Sequence, residues 1–577
     1  MLEHVYLIPL IPLAASLVIL FGGKEGPHSK MPFVGIAAMA WCLLQSIGAL
    51  YGLHHLGGHP YTKDWTWFSF AADMGGKSFS LDMLAGVHID GPAAIMLVVV
   101  TLVSLLVQVY STAYMHDDSR FKRYYAYLSF FTASMLGLIV SSNLLITFAC
   151  WELVGVSSYL LIGFWFEKPG PAYACKKAFM TTKLGDSGFY IALLLIFATV
   201  GSFQITRLED FVARGYMPAT TATWIGLGLL AGAAGKSAQW PLFIWLPDAM
   251  EGPTPVSALI HAATMVAAGI YLVARCYCVF VAAPMAMEAV AWIGLITAVL
   301  AATMALVAYD IKRVLAFSTV SQLGFMLCAL GVGGYTAGLF HLTTHAFFKA
   351  LLFLGAGSVI HAVHTNDMRQ MGGLSRQMPW TFWTMLTATL AISGIPGTSG
   401  YYSKDLILEV VFEHSKPMFA LLVFAASLTA FYMTRLMMLT FIGDARDSER
   451  HRRAHESTAP MLVPLFILGA LSLVSGALLE HGHFFQHLVH YKLPEGGLLY
   501  SDGNHADPKL LARGMTLMAG LSMGLAVWLY KGPAFSVADA VKASCSWVFA
   551  ALENRYGFDA VFLWLVAVCD KVASACF

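Results

Sequence analysis

Charge is what this chain has least of: Asp, Glu, Lys and Arg make up 12% of its 577 residues, about half the share usual in a soluble domain. The two signs nearly cancel, 34 basic against 33 acidic side chains. Without a basic surplus there is no cationic face to displace counterions from phosphates, so a nucleic-acid partner is excluded. Paired cysteines are missing too. Cys42, Cys150, Cys175, Cys276, Cys278, Cys328, Cys545, Cys569 and Cys576 contain no Cys-x-x-Cys and no His/Cys ladder. That excludes the frameworks of iron–sulfur clusters, attached haem and structural zinc. The opening Met1-Leu2-Glu3-His4 lacks the basic stretch of a cleavable signal, so residues 5–21 read as a retained first membrane span.

Apolar residues are abundant, at 58% of the chain. They recur in runs at 3–21, 33–53, 91–115, 122–141, 144–166, 173–200, 222–250, 254–280, 285–307, 312–331, 335–362, 380–414, 416–441, 459–479, 510–530 and 558–576. Each run suffices for a ~30 Å hydrocarbon layer, so the expected fold is an all-α polytopic membrane protein of about 16 transmembrane helices. The polar stretches 54–90, 443–458 and 480–509 read as extramembrane loops, with His54, His55, His59 and His88 as solvated loop residues. Trp65 and Trp67 read as membrane-interface anchors.

Cations set the orientation. Loops after odd-numbered runs carry Lys24, Lys30, Arg120, Lys122, Arg123, Lys168, Lys176, Lys177, Lys312, Arg313, Arg369, Arg376, Arg446, Arg450, Arg452 and Arg453. The opposite loops hold fewer, among them Lys63, Lys77, Arg207, Arg214 and Lys416. The odd loops are therefore expected in the cytoplasm and the N-terminus outside it, with the chain in an inner (plasma) membrane.

Two blocks of five runs look like copies of one unit, because each has a long fourth helix interrupted by Gly and Pro. The interruptions are Gly235-Lys236-Ser237-Ala238-Gln239-Trp240-Pro241 and Gly394-Ile395-Pro396-Gly397, the latter followed by Tyr402-Ser403-Lys404. Five is odd, so the second block enters the membrane inverted, as in many secondary transporters. Four regions follow: 1–121, N-terminal spans and an extracytoplasmic loop; 122–284, the first repeat; 285–442, the inverted second repeat; and 443–577, C-terminal spans.

Ionisable residues inside apolar runs carry the chemistry, since each costs at least ~2.5 kcal/mol at a helix centre unless it faces protein or water. Glu152 lies in the fifth run, and Lys183 and Asp186, three apart in the sixth, share a face and are expected to pair. Lys236 occupies the break of the seventh run. His261 follows in the eighth, then His341, His345 and Lys349 at successive i+4 steps in the eleventh, with His361 further along. Lys404, Asp405 and Glu409 lie beyond the second break. Burial drives lysine and glutamate in general towards the range in which protons exchange, and histidine starts there. The set reads as a lateral proton relay linked by water. The breaks free backbone groups that hydrocarbon cannot satisfy, so each must line a wet or packed cavity.

A structural ion pair is the competing reading for any single one of these residues. A metal site at His341-x-x-x-His345 is set aside, because Leu342 stands where His-Glu-x-x-His has its glutamate and no third ligand is evident. Gly235-Lys236-Ser237 imitates the end of a phosphate loop, yet Leu230 stands where its first glycine should be. Gly226, Gly228 and Gly232 read as sites of close helix packing.

The segments 151–164, 235–242 and 252–266 closely resemble the antiporter-like subunits of respiratory complex I, and so do 310–324, 341–352 and 402–405. They include Trp151-Glu152-Leu153-Val154-Gly155, Gly235-Lys236-Ser237-Ala238-Gln239-Trp240-Pro241 and Tyr402-Ser403-Lys404-Asp405. The pattern is most like the distal, L-type subunits of NADH–quinone oxidoreductase and covers about 1–480.

The resemblance implies that Glu152 and Lys236 form an input half-channel pair and that Lys404 ends an output half-channel. Asp186, Lys183, His261, His341, His345 and Lys349 would complete the axis, with Asp405 beside Lys404. It implies no cofactor in this chain; NADH, FMN, Fe–S clusters and quinone belong to partner subunits, and the neighbouring antiporter-like subunit and the rest of the membrane arm are the partners, within lipid. Family members continue after 558–576 into a long lateral helix and a final span. That segment is expected to be absent here or supplied by another polypeptide. Two other functions share these motifs: a cation/proton antiporter subunit of the Mrp type, and a membrane coupling partner of a soluble enzyme in a carbon-uptake assembly.

Overall fold

The computed structural model describes residues 2–26, 29–74, 77–491, 508–531 and 536–576. Helices dominate. The first are α1 (Leu7–Phe21), α2 (Pro32–His55), α3 (Gly91–Tyr114), α4 (Phe121–Val140), α5 (Leu144–Ile162) and α6 (Pro169–Val200). After the short α7 (Ile205–Ala213) come α8 (Ala219–Lys236), α9 (Thr254–Ala262), α10 (Met265–Arg275), α11 (Tyr277–Val281), α12 (Pro284–Ala305), α13 (Ile311–Gly331) and α14 (Tyr335–Val363). The chain continues through α15 (Pro379–Ser393), α16 (Ser399–His414), α17 (Lys416–Met437), α18 (Ser448–Arg453), α19 (Ala459–Glu480) and α20 (Phe484–Leu488). The last are α21 (Pro508–Tyr530), α22 (Ser536–Ser544), α23 (Ser546–Glu553) and α24 (Phe558–Cys576).

Among the described residues, 12 helical stretches are long and apolar enough to cross a membrane. Four of the expected runs are not among them: 122–141, which forms α4 with Lys122 and Arg123 in its first turn, 222–250, where α8 stops at Lys236, and 380–414 and 558–576. The run 380–414 is divided into α15 and α16, of 15 and 16 residues, each short of the ~20 that a single span needs. Helix α24 carries Asp559, Asp570 and Lys571 and is not among the 12.

Burial has a clear centre. Helices α9, α10, α13 and α14 are enclosed nearly throughout, whereas α1, α2, α19 and α21 keep broad apolar faces outward. Helix α14 is the hub, packing on α3, α9, α13, α15, α16 and α19. Small residues let backbones approach closely on the flank, where no hydrophobic driving force acts between helices in lipid. A Cβ at Gly188 would lie 2.6 Å from Ala231 Cβ, one at Gly228 would lie 2.6 Å from Gly188 O, and one at Gly185 would lie 2.9 Å from Gly235 Cα. This glycine seam joins α6 to α8. Gly232 meets Phe189 of α6, while Gly226 faces Ala286 of α12.

The stretch 54–90 departs from an all-α expectation. It holds an antiparallel hairpin, β1 (Tyr61–Met74) against β2 (Lys77–Ile89), registered Tyr61 to Ile89 at its base and Met74 to Lys77 at its tip. The base is tied to the turn between α4 and α5: Ser142 Oγ donates to Asp64 at 2.6 Å and Asn143 Nδ2 to Leu84 O at 2.7 Å. Asn143 also caps α5, accepting from Leu145 N.

His88 is not solvated as expected. It is 3% exposed, 2.7 Å from Thr62 Oγ1, and its carbonyl accepts from Arg275 Nη2 at 2.8 Å. The β2 register turns it inward while Arg275 bonds Asp90, the α3 cap, at 2.6 Å. His54, His55 and His59 are exposed, as are Trp65 and Trp67. Residues 492–507 of the expected 480–509 loop lie outside the described residues.

Candidate functional site

Helix α8 ends at Lys236 because the chain turns at Ser237 and continues through Trp240-Pro241, which cannot extend the helix. The break leaves carbonyls that would otherwise be unsatisfied. Trp245 Nε1 donates to Gly235 O at 3.0 Å, Ser237 Oγ to Val266 O at 2.6 Å and Gln239 Nε2 to Ser237 O at 2.8 Å. The Trp240 amide donates to Thr297 Oγ1 at 2.9 Å. Protein groups therefore hold the interruption open.

Lys236, the last residue before the break, has no exposed surface and reaches towards α5 and α6. Its Nζ stands 3.4 Å from Asp186 Oδ2, and the other carboxylate oxygen of Asp186 accepts from Trp151 Nε1 at 2.6 Å. The Trp151 ring lies 5.8 Å from the ammonium. A Cβ at Gly155 would come within 2.6 Å of Lys236 Nζ, so the glycine makes the room. Trp151 and Gly155 are one turn apart on α5 and face the lysine together.

The expected pairs are exchanged. Glu152 pairs with Lys183, not Lys236, and Asp186 pairs with Lys236, not Lys183. Helix geometry supplies the reason. Glu152 follows inward-facing Trp151 by about 100° and lies on the outer flank, where its side chain is 24% exposed and that of Lys183 35%. Asp186 looks the other way and is 2% exposed. Three residues on a helix place side chains on one broad face, but here α5 takes one and α8 the other.

Further in, His261 stacks on Phe353 with ring centroids 4.5 Å apart. Neither its nitrogens nor those of His345 have a partner among the described residues, although both rings are fully buried. Buried polar groups are rarely left so, and a bound water is the ordinary way to satisfy them. His341 is fully engaged: its Nε2 lies 3.0 Å from Gln322 Oε1 and its Nδ1 2.9 Å from Ser403 Oγ. With the amide oxygen accepting, a neutral ring carries its proton on Nε2 and accepts from the serine at Nδ1. Lys349 Nζ bonds Ser318 Oγ, and Leu315 O at 3.2 Å.

Lys404 completes the series across the second break. Its Nζ donates to Ile392 O at 2.7 Å, reaching from α16 back to the last turn of α15, and sits 5.3 Å from the Phe325 ring. Asp405 lies beside it, half-buried, and both line a cleft of about 20 Å³ with Met515 and Ala519 of α21. Among the described residues no three His, Cys, Asp or Glu side chains are grouped to hold a metal ion.

Residues 141–429 match the family described as NADH:quinone oxidoreductase/Mrp antiporter, and residues 77–125 the complex I chain 5 N-terminus. The NAD(P)H-quinone oxidoreductase chain 5 of Picosynechococcus sp. is 44% identical over 515 residues, covering 82% of this chain and 76% of that protein. The chain belongs to the NADH:quinone oxidoreductase/Mrp antiporter family.

The F(420)H(2) dehydrogenase subunit L of Methanosarcina mazei is 45% identical over 518 residues, with 83% and 74% of the two chains covered. Among solved structures, the Mrp complex from Dietzia sp. superposes with a TM-score of 0.75 at 25% identity, over 99% of this chain and 60% of the matched one. The membrane-bound sulfane sulfur reductase, an archaeal respiratory membrane complex, shares the fold with a TM-score of 0.75 at 21% identity, over 98% and 95%. This is an antiporter-like membrane subunit, and the segment 141–429 that carries the family match holds every residue of the axis from Glu152 to Asp405.

Several members of this antiporter-like site were not evident as functional from the sequence: Trp151, Gly155, Ser318, Gln322 and Ser403. Trp151, Gly155 and Ser403 stand within the family-like motifs around Glu152 and Lys404, which marked the segments but assigned these three no role. Ser318 and Gln322 lie in the family-like segment 310–324, which gave neither a role.

Proposed function

We propose that this subunit translocates protons across an inner (plasma) membrane, driven by quinone reduction in partner subunits that hold NADH, FMN, Fe–S clusters and quinone. On this reading Lys236 with Asp186, and Glu152 with Lys183, form the input half of a proton path. His261, Lys349, His345 and His341 carry it laterally, and Lys404 with Asp405 releases it. The four regions keep the roles expected of them: about 16 spans, of which two inverted five-helix repeats each supply one half-channel. The arginine-rich loops face the cytoplasm and the N-terminus the opposite side. The adjacent antiporter-like subunit and the rest of the membrane arm are the partners.

The observation that supports this best is the sealed Lys236–Asp186 pair at the α8 break. A buried pair gives little net stability against a well-packed apolar replacement, and this one stands where a helix is interrupted, which supports a role other than stability. The test is Lys236→Met in the assembled complex, reconstituted in proteoliposomes. Proton pumping should fall at least about tenfold per quinone reduced, while unchanged pumping would reject the reading.

The likeness to the Mrp complex favours a second reading, cation/proton antiport. Sodium distinguishes them. Pumping that needs no sodium supports proton translocation, and sodium movement opposite to protons supports antiport.

A further inference from the structure

The axis has a polar approach of its own from the arginine-rich side. A cavity of about 1210 Å³ lies between the ends of α3 and α14, the start of α13 and the α23–α24 turn. Asp118, Asp310, Asp367, Arg313, Arg369 and Arg555 are among its lining residues, so it is a balanced, wettable vestibule. Tyr114, His361 and His364 also line it, the first two half-buried. The Tyr114 and His361 rings are 5.8 Å apart.

From Tyr114 the hydroxyls continue into buried protein. Tyr114 Oη and Thr254 Oγ1 are hydrogen-bonded at 3.0 Å, and Tyr110, stacked on Tyr114 at 5.8 Å, donates to Leu354 O at 2.9 Å beside Ser358 Oγ at 3.2 Å. The three helices meet closely here: a Cβ at Gly357 would sit 2.8 Å from Tyr110 Oη and 3.2 Å from Thr254 Cγ2. Thr254 begins α9, and Ser257 and His261 follow at helical spacings that keep all three on one face. Ser257 is buried, and among the described residues neither nitrogen of buried His261 has a hydrogen-bond partner. His261 lies against Phe353, one turn beyond Lys349 on α14. From Thr254 to His261 is about 10 Å along the helix.

We propose that the Tyr114–Thr254 hydroxyl pair is the gate through which protons from this vestibule load the buried segment at His261 and Lys349. The proposal rests on the proton-translocating reading above. In each transfer the Tyr114 oxygen takes a proton from vestibule water and gives the one it held to Thr254, which hands its own to water beside Ser257. Both hydroxyls then rotate back, unchanged in composition. His361 lies against the tyrosine ring on the vestibule side.

The test uses the complete quinone-reducing complex in proteoliposomes, with Thr254→Val, Thr254→Ser, Tyr114→Phe and, as reference, Lys236→Met. Thr254→Val and Tyr114→Phe should each lower protons pumped per quinone about tenfold and alter the solvent deuterium isotope effect on pumping. Thr254→Ser, which keeps the hydroxyl, should stay within about twofold. Wild-type pumping in Tyr114→Phe overturns the gate, and so does a Thr254→Ser as impaired as Thr254→Val, which would mark a packing role. Should Thr254→Val fail to assemble, Tyr114→Phe decides. If Lys236→Met impairs pumping and the gate variants do not, the gate alone is wrong. If none of the four impairs it, the proton reading falls with it.

Discussion

Asp186 holds Lys236 with one carboxylate oxygen and Trp151 with the other. One acidic side chain thus fixes the distance between α5, α6 and the broken end of α8. It also supplies the only formal countercharge in ion-pair range of Lys236 among the described residues.

Asp186→Asn keeps an acceptor for Trp151 but strands a buried ammonium. Breaking one side of such a pair costs about 3–5 kcal/mol, so the complex should melt at lower temperature. Asp186→Asn combined with Lys236→Met should recover most of that stability and none of the pumping. A thermal-shift series on the two variants checks both statements; additive losses would show that the pair is not coupled.

Glu152 and Lys183 should behave differently. Their side chains are 24% and 35% exposed, so solvent or lipid headgroups share the charge and the pair contributes less than about 1 kcal/mol. Glu152→Gln should leave the melting temperature nearly unchanged while pumping drops. Equal loss of both would place the pair in the scaffold.

The glycine seam sets how near Asp186 comes to α8. Gly185→Ala would place a methyl group 2.6 Å from Ala231 O and 2.9 Å from Gly235 Cα, forcing the two helices apart. Overpacking of this kind costs about 1–3 kcal/mol. The expected signature is reduced stability together with lost pumping, whereas Gly514→Ala, which meets no atom within 4 Å, should alter neither.

His88 makes the hairpin pH-sensitive. Burial, aided by the Arg275 charge and opposed by Asp90, lowers its pKa from 6.5 to about 4. Its folded value lies below its unfolded one, so the unfolded chain binds the proton more readily between them. The neutral imidazole's contribution is complete above pH 6.5 and is lost as pH falls towards about 4. Amide exchange of β2 should quicken across that window, and His88→Gln should flatten the dependence.

Much of the fold could be read from apolar runs, because a bilayer leaves the backbone few options. The interruptions at Gly235 to Pro241 and Gly394 to Gly397 were legible for the same reason. The partner of each charge was not. Lys183 and Asp186 are three apart and read as a pair, yet pairing across helices depends on the rotation of α5 and α8, which local spacing does not encode. The hairpin was hidden in a stretch read as loop, although Tyr61–Phe70 is rich in aromatic and threonine residues typical of strands. His88 was misjudged with it, since its burial follows from a strand register and from Arg275, nearly two hundred residues away.

At the second break the severed helix serves its own lysine. Ile392 O, a carbonyl left over where α15 stops, receives the Lys404 ammonium. Charge and backbone are thereby tethered: neutralising the amine slackens its grip on the last turn of α15, and drawing that turn away strips the amine of its anchor. Electrical and mechanical displacement at this point are one coordinate, so a strain applied to α15 from outside the chain would be felt as a change in how firmly Lys404 keeps its proton.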